Sequence, residues 1–459
     1  MAHKHETPSV EESYDFSSAS KRKLMIGGVI GFALVAIGVF LINMGWWGPS
    51  GIVLSGHEAE AAGHGADAAH GVAEAAHGVA EGGHEEGGHH AATLMNRLVA
   101  NLWMNSIYFL GISVIGVFFI SYNYVAKAGW YTSFKRIPEA FPAFMVIPAV
   151  IILILIAIPG SRHIIMHWTQ DGIMDPLSHN YDAIIAGKSW WLNMPFYTVR
   201  LVLYFVIWWY LWKQIRKYSI LEDASGSLED YSKSRLYAKF FLIFFAVTSS
   251  TAAWDLSMAV DVHWFSSMFG WYHLSSWHVA GLSAIMLVII TLKGQGYLKA
   301  VNYSTLQDLG KLMFGFSIFW TYVWFSQYFL IFYAHLPEET IYFRERLSGF
   351  DGRYVAPFFI SLILNFVFPL LILMARESKR NYTFLKLACW AILLGHWFDF
   401  YQMLMPGIAK DQGGLGLIEL GTTTVFACAF LYVVYSQLSK ANLYPKNHPF
   451  LGESLHHDI

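Results

Sequence analysis

About ten runs of apolar residues, most of them close to 20 residues long, dominate this chain: 24–46, 98–122, 141–160, 190–212, 238–261, 272–292, 312–335, 354–374, 384–404 and 416–437. A hydrocarbon core about 30 Å thick takes about 20 apolar residues per helix. Backbone in lipid must also satisfy its own hydrogen bonds, which leaves helices as the solution for such runs. The pattern therefore predicts an all-α integral membrane protein of about ten spans. Only 14% of the 459 residues are charged, against roughly 25% in soluble domains. A net charge of −2 leaves no basic excess for nucleic acid. The third run is short and holds Pro142, Pro148 and Pro159, and the ninth carries His396 and Asp399. The first run follows Lys21-Arg22-Lys23 and spans about 23 residues. A signal-peptide core has roughly 7–15, so a retained anchor is expected.

Lysine and arginine in the loops set orientation. With the N-terminus inside, the inner segments hold 22 of the 30 basic residues, the outer loops hold 7, and Arg200 is left within span four. Both termini are thus expected to be cytoplasmic. The expected organisation is an N-tail (1–23), a first helix (24–46), an outer loop (47–97), a four-helix bundle of spans two to five (98–261), a second of spans six to nine (262–404), a tenth span (405–437) and a C-tail (438–459). The outer loop is rich in His, Ala and Gly and has too few large apolar residues to form a core. It reads as disordered. His64, His70, His77 and His84 within it offer clustered imidazoles for zinc, copper or nickel as a second reading.

The two cysteines, Cys389 and Cys428, lie in apolar runs. They exclude a disulfide scaffold, a cysteine-ligated iron–sulfur cluster and a CxxCH haem site in this chain. No phosphate-binding glycine motif follows a strand. Whatever chemistry the chain performs falls within the bilayer.

Ionisable residues inside spans are costly and each is a site hypothesis. Asp255 lies 16 residues into span five, counted from Lys239, or about 24 Å at 1.5 Å per residue. Thr251 shares its face. His278 lies one to two turns into span six from the outer side. His396 and Asp399, at i, i+3 in span nine, share a face with Gln402, and a carboxylate beside an imidazole orients it and raises its basicity. Asp399 is 13 residues from Lys386, about 20 Å deep. These four are candidates for proton transfer or quinone contact, all in the outer half. Arg200, mid-span, must have an anionic partner, and either Asp255 or Asp399 qualifies. Glu419 lies early in span ten, near the outer surface. Asp261 and His263 sit at the interface. For every one of these, a satisfied interhelical contact is the competing reading. The inner half shows few ionisable groups, so a complete path would need hydroxyls such as Ser317, Thr321, Tyr322 and Thr422 to Thr424.

Trp254-Asp255 and Trp397-Phe398-Asp399 recur four spans apart. Spans 2–5 and 6–9 would then be parallel repeats. A bis-histidine haem between His278 and His396 is geometrically conceivable. A secondary transporter is disfavoured, because the prolines do not match between the units.

The stretches "DLGKLMFGFSIFWTYVWFSQYFLIFYAHLPEET" (308–340) and "WDLSMAVDVHWFSSMFGWY" (254–272) resemble the smaller of the two polysulfide-reductase-type (NrfD-like) membrane subunits of bacterial alternative complex III. The resemblance covers spans two to ten. It implies two four-helix bundles with one helix on each side. It also implies membership of a complex that oxidises menaquinol and passes electrons to a cytochrome c or a terminal oxidase. The iron–sulfur clusters and c-type haems would belong to partner subunits, next to a larger NrfD-like sister that is the better placed to oxidise quinol. This chain would take part in proton movement, or hold the complex together. The resemblance carries no site residue onto this sequence.

Overall fold

The computed structural model describes residues 11–44 and 86–458, with backbone alone for 86–93 and 338. The His-rich stretch with His64, His70, His77 and His84 lies outside the described residues, and so do the expectations of disorder and metal binding attached to it. The described chain is helical, with no β-strand among the described residues and one isolated bridge between Ser13 and Asn442.

Helices α1 (Ser18–Asn43), α2 (Glu86–Ala126), α3 (Arg136–Ala157), α4 (Met194–Ser225), α5 (Leu228–Leu256), α6 (Phe269–Gly294), α7 (Tyr303–Tyr333), α8 (Val355–Leu373), α9 (Tyr382–Ala409) and α10 (Leu417–Leu438) form the frame. Polar residues start several of them. Ser17, Asn193, Ser227, Asn302 and Asn381 each accept a hydrogen bond from a first-turn N–H of the helix they precede, which satisfies one of its orphan donors. Pro195 in the first turn of α4 costs nothing there, and Gly226 ends that helix with φ +64°. The three prolines of α3 leave their mark: Arg136–Ala140 and Val146–Ala157 are α-helical, and Phe141–Phe144 between them is a 3-10 turn. In α8 a π-turn at Ile363–Val367 precedes Pro369. Proline has no N–H to return to the carbonyl four residues back, and the ladder slips to accommodate it.

Eight of the described helices are long and apolar enough to cross a membrane. The expected seventh and ninth spans correspond to α7 and α9. At 31 and 28 residues they are long enough, but Trp320, Tyr322, Trp324 and Gln327 in one and His396, Asp399 and Gln402 in the other lower their hydropathy.

Helix α2 is the hub, packing on α3, α5, α6, α9 and α10. Its apolar stretch is 94% buried within the protein, against 17% for α1. Helix α4 packs on α5 and α3, α7 and α9 pack on α6, and α8 packs on α7 and α9. Lipid tails are as apolar as leucine, so close backbone approach and interhelical hydrogen bonds drive this packing. A Cβ at Gly111 in α2 would lie 1.8 Å from the Trp277 ring of α6, which shows how tightly that crossing closes. The indole of Trp277 donates to Ile107 O (3.2 Å), and that of Trp103 donates to Leu256 O (3.0 Å). Helix α1 lies on α10 through Gly31 and Gly421, whose backbones meet directly.

The N- and C-terminal tails meet on one face. Leu443 N donates to Glu12 O (2.8 Å), and Lys446 pairs with Glu11 (2.6 Å).

Candidate functional site

The i, i+3 pair on α9 holds. Asp399 and His396 are both fully buried, with His396 Nδ1 3.5 Å from the Asp399 carboxylate. Helix α6 brings two further groups to that carboxylate: Tyr272 OH donates to Oδ1, and Ser276 Oγ donates to Oδ2 at 2.5 Å. Helix α7 brings a third, the Trp320 indole N–H at 2.9 Å. Every one of these donors is neutral, and no lysine or arginine pairs with Asp399 among the described residues. The His396 ring makes no hydrogen bond through either nitrogen. Next to it, the π-turn of α8 points Asn365 at α9. Its Oδ1 lies so close to Gly395 that a Cβ there would be 2.3 Å away, and neither end of the Asn365 amide has a partner. Buried polar groups without partners cost about 1–3 kcal/mol each.

Asp399 also borders a cleft shared with Tyr272, Trp324, Tyr342, Arg346 and Gln402, whose interior leaves about 20 Å³ for water centres. That admits a water molecule or two, not a quinone ring. Gln402 is on the shared face as expected, but its amide N–H is committed to Tyr354 O at 2.5 Å.

The other carboxylates are held differently. Asp255 receives the Arg200 guanidinium in a two-pronged pair, Nε to Oδ2 at 2.9 Å and Nη2 to Oδ1 at 2.7 Å. The Trp191 indole adds a third bond at 3.0 Å, and the guanidinium lies 3.9 Å from the centre of that Trp191 ring. Of the two partners proposed for Arg200, Asp255 is the one. Thr251 does not reach Asp255; it bonds its own helix at Val247 O and Thr248 O. Glu419 is buried, and Arg97 grips both its oxygens at 2.7 and 2.6 Å, with Asn101 adding a bond at 2.8 Å. Asp261 pairs with Arg346 at 2.8 Å.

His278 is buried between aromatic rings, its own ring 4.2 Å from that of Phe316 and 5.4 Å from that of Phe118. It makes no contact with Asp399 or His396, so these residues do not form one site. The hydroxyl relay is not assembled either. Tyr322 points outward and is 63% exposed. Thr321, Thr422 and Thr424 bond carbonyls of their own helices, Thr423 bonds Glu419 O and also Asn105 of α2 at 3.0 Å, and the buried Ser317 hydroxyl has no partner among the described residues.

The sparse inner half is corrected. Arg136 binds Glu139 (2.7 Å) and Asp223, Arg216 lies 3.8 Å from Glu139, and Lys135 lies 3.7 Å from Glu222. Four of these six residues, all but Arg216 and Asp223, are essentially fully buried. They fall at the ends of α3 and α4 on the side of the C-tail, where Asp223 meets Lys446 and Asn447, in segments that a count of apolar runs assigns to loops. Tyr272, Ser276, Trp320 and Asn365 were not singled out either. Of these only Asn365, a lone amide in an apolar run, carries a signal readable without the fold.

No family model matches this chain, and no curated protein is similar to it.

Proposed function

We propose that this chain is a multi-pass subunit of a bacterial quinol-oxidising respiratory complex of the alternative complex III type, and that its own part is proton transfer at Asp399. The observation that carries the proton role is a contrast. Asp255 and Glu419 are each clamped by an arginine, whereas Asp399 is buried among neutral donors beside an imidazole with two free nitrogens. A carboxylate in an ion pair gives up that pair when it takes a proton, at a cost of several kcal/mol. Asp399 has no pair to give up. His396 at 3.5 Å is the group to exchange a proton with it, through a water held beside Asn365. The small cleft favours proton handling over binding of a quinone ring.

In this reading all ten long helices cross the membrane. Spans 2–5 and 6–9 form two four-helix bundles, and α1 and α10 flank them. Two features support it. Neighbours close into two rings, α2-α3-α4-α5 and α6-α7-α8-α9, and the tails meet on one face, as an even number of crossings requires. The positive-inside count puts that face in the cytoplasm of an inner-membrane protein. Quinol oxidation, iron–sulfur clusters and c-type haems belong to partner subunits, with menaquinol as the substrate of the whole and a cytochrome c or an oxidase as acceptor. For Asp255, Arg200 and Glu419 the paired geometry favours a structural role.

The test is Asp399→Asn in the assembled complex. Quinol turnover or the number of protons released per electron should fall while assembly persists. Unchanged values of both would remove Asp399 from the mechanism.

A further inference from the structure

A larger cavity lies away from Asp399, at the outer end of the helices. It offers about 290 Å³ to water centres, against about 20 Å³ beside Asp399. One wall is the segment after α3, with His163, His167 and Gln170. The other is the end of α9 and the turn that follows, with Lys410 and Asp411. Asn96 of α2 forms part of the lining and ties to Gln412 at 3.1 Å.

Two opposite charges face this space without partners. Lys410 and Asp411 are both exposed, and neither enters an ion pair among the described residues. The imidazoles add donors beside Lys410, although His163 Nδ1 is engaged with Thr169 at 3.1 Å. Burial and the neighbouring positive groups Lys410 and His263 hold His167 below the usual histidine range, and Asp182 offsets this in part. Lys410 itself caps the end of α9, where the carbonyl end of a helix favours its positive charge, and Asp411 follows it in the same turn. The cavity therefore offers one cationic and one anionic side chain on this wall and two imidazoles on the opposite one.

Its level in the membrane selects the ligand. Asn96 lies two residues before the apolar run 98–122 of α2. Met95 beside it is 54% exposed, and Ile158, five residues before His163, is 49% exposed. Apolar surface thus adjoins a polar cavity at the boundary between lipid and water.

We propose that this cavity binds the headgroup of a zwitterionic aminophospholipid, its phosphate on Lys410 and the imidazoles and its amine on Asp411. The proposal is independent of the proton role of Asp399.

The test uses the protein purified in mild detergent with whatever subunits accompany it. Native mass spectrometry reads retained lipid, followed by rebinding of phosphatidylethanolamine, phosphatidylglycerol or inorganic phosphate to delipidated protein. Phosphatidylethanolamine should be retained and should rebind in preference to phosphatidylglycerol. Lys410→Ala should weaken its binding about tenfold, the loss of one charge-assisted contact. Asp411→Ala should abolish the preference between the two lipids while leaving Tm unchanged. Equal binding of both lipids by the unaltered protein, displacement of lipid by inorganic phosphate, or no retained lipid at all would each overturn the assignment.

Discussion

Removing the guanidinium of Arg200 exposes the difference between the two aspartates most sharply. In Arg200→Met, Asp255 stays fully buried and keeps one firm donor, the Trp191 indole at 3.0 Å, while losing bonds of 2.9 and 2.7 Å. Breaking a buried pair from one side costs about 3–5 kcal/mol, because the other charge is left without compensation. Asp255→Asn should cost a similar amount by stranding the arginine. The double variant Arg200→Met/Asp255→Asn removes both charges, so its loss should fall short of the sum of the singles by about 2 kcal/mol or more. Asp399→Asn is a milder change. It keeps an oxygen that accepts from Tyr272, Ser276 or Trp320 and leaves no stranded charge, so about 1–2 kcal/mol is expected. Reversible unfolding in mixed detergent micelles measures all four. The reasoning fails if Asp399→Asn destabilises as much as Arg200→Met, or if the Arg200 and Asp255 effects simply add.

Three further outcomes follow from the packing. Gly111→Ala places a methyl group 1.8 Å from the Trp277 ring and should cost about 3 kcal/mol, read in the same unfolding assay. Gly421→Val drives α10 from α1, since even a Cβ would be 2.6 Å from Gly31 O; oxidative cross-linking of Gly27→Cys to Cys428 should then decline. His448 in the C-tail is held well below the usual histidine range by burial and by Lys135 and Arg136, among the rings of Tyr124 and Tyr231. The tail is then fully stabilised above the unfolded pKa of about 6.5 and loses stability as the pH falls below it. Limited proteolysis should release the tail faster at pH 5 than at pH 7.5, and His448→Phe should weaken that dependence.

Much of the frame was readable from the length of the apolar runs, and the i, i+3 spacing alone placed His396 beside Asp399. Other features needed the fold. Arg200 had two candidate partners in sequence, because depth along a span does not say which helices are neighbours. Tyr272, Ser276 and Trp320 look like any aromatic or small residues of membrane helices until α6 and α7 converge on one carboxylate. Arg97, Lys135 and Arg136 lie next to apolar runs, where a loop and a buried helix end have the same composition. The slip that aims Asn365 at α9 depends on Pro369 acting on a helix already packed.

The central claim is that Asp399 changes protonation during turnover and Asp255 does not. Infrared difference spectroscopy of the assembled complex, oxidised against quinol-reduced, reads this through the stretching band of a protonated carboxyl. The account predicts a band that responds to quinol, disappears in Asp399→Asn and survives in Asp255→Asn. A band that persists in Asp399→Asn, or no carboxyl band at all, would contradict it.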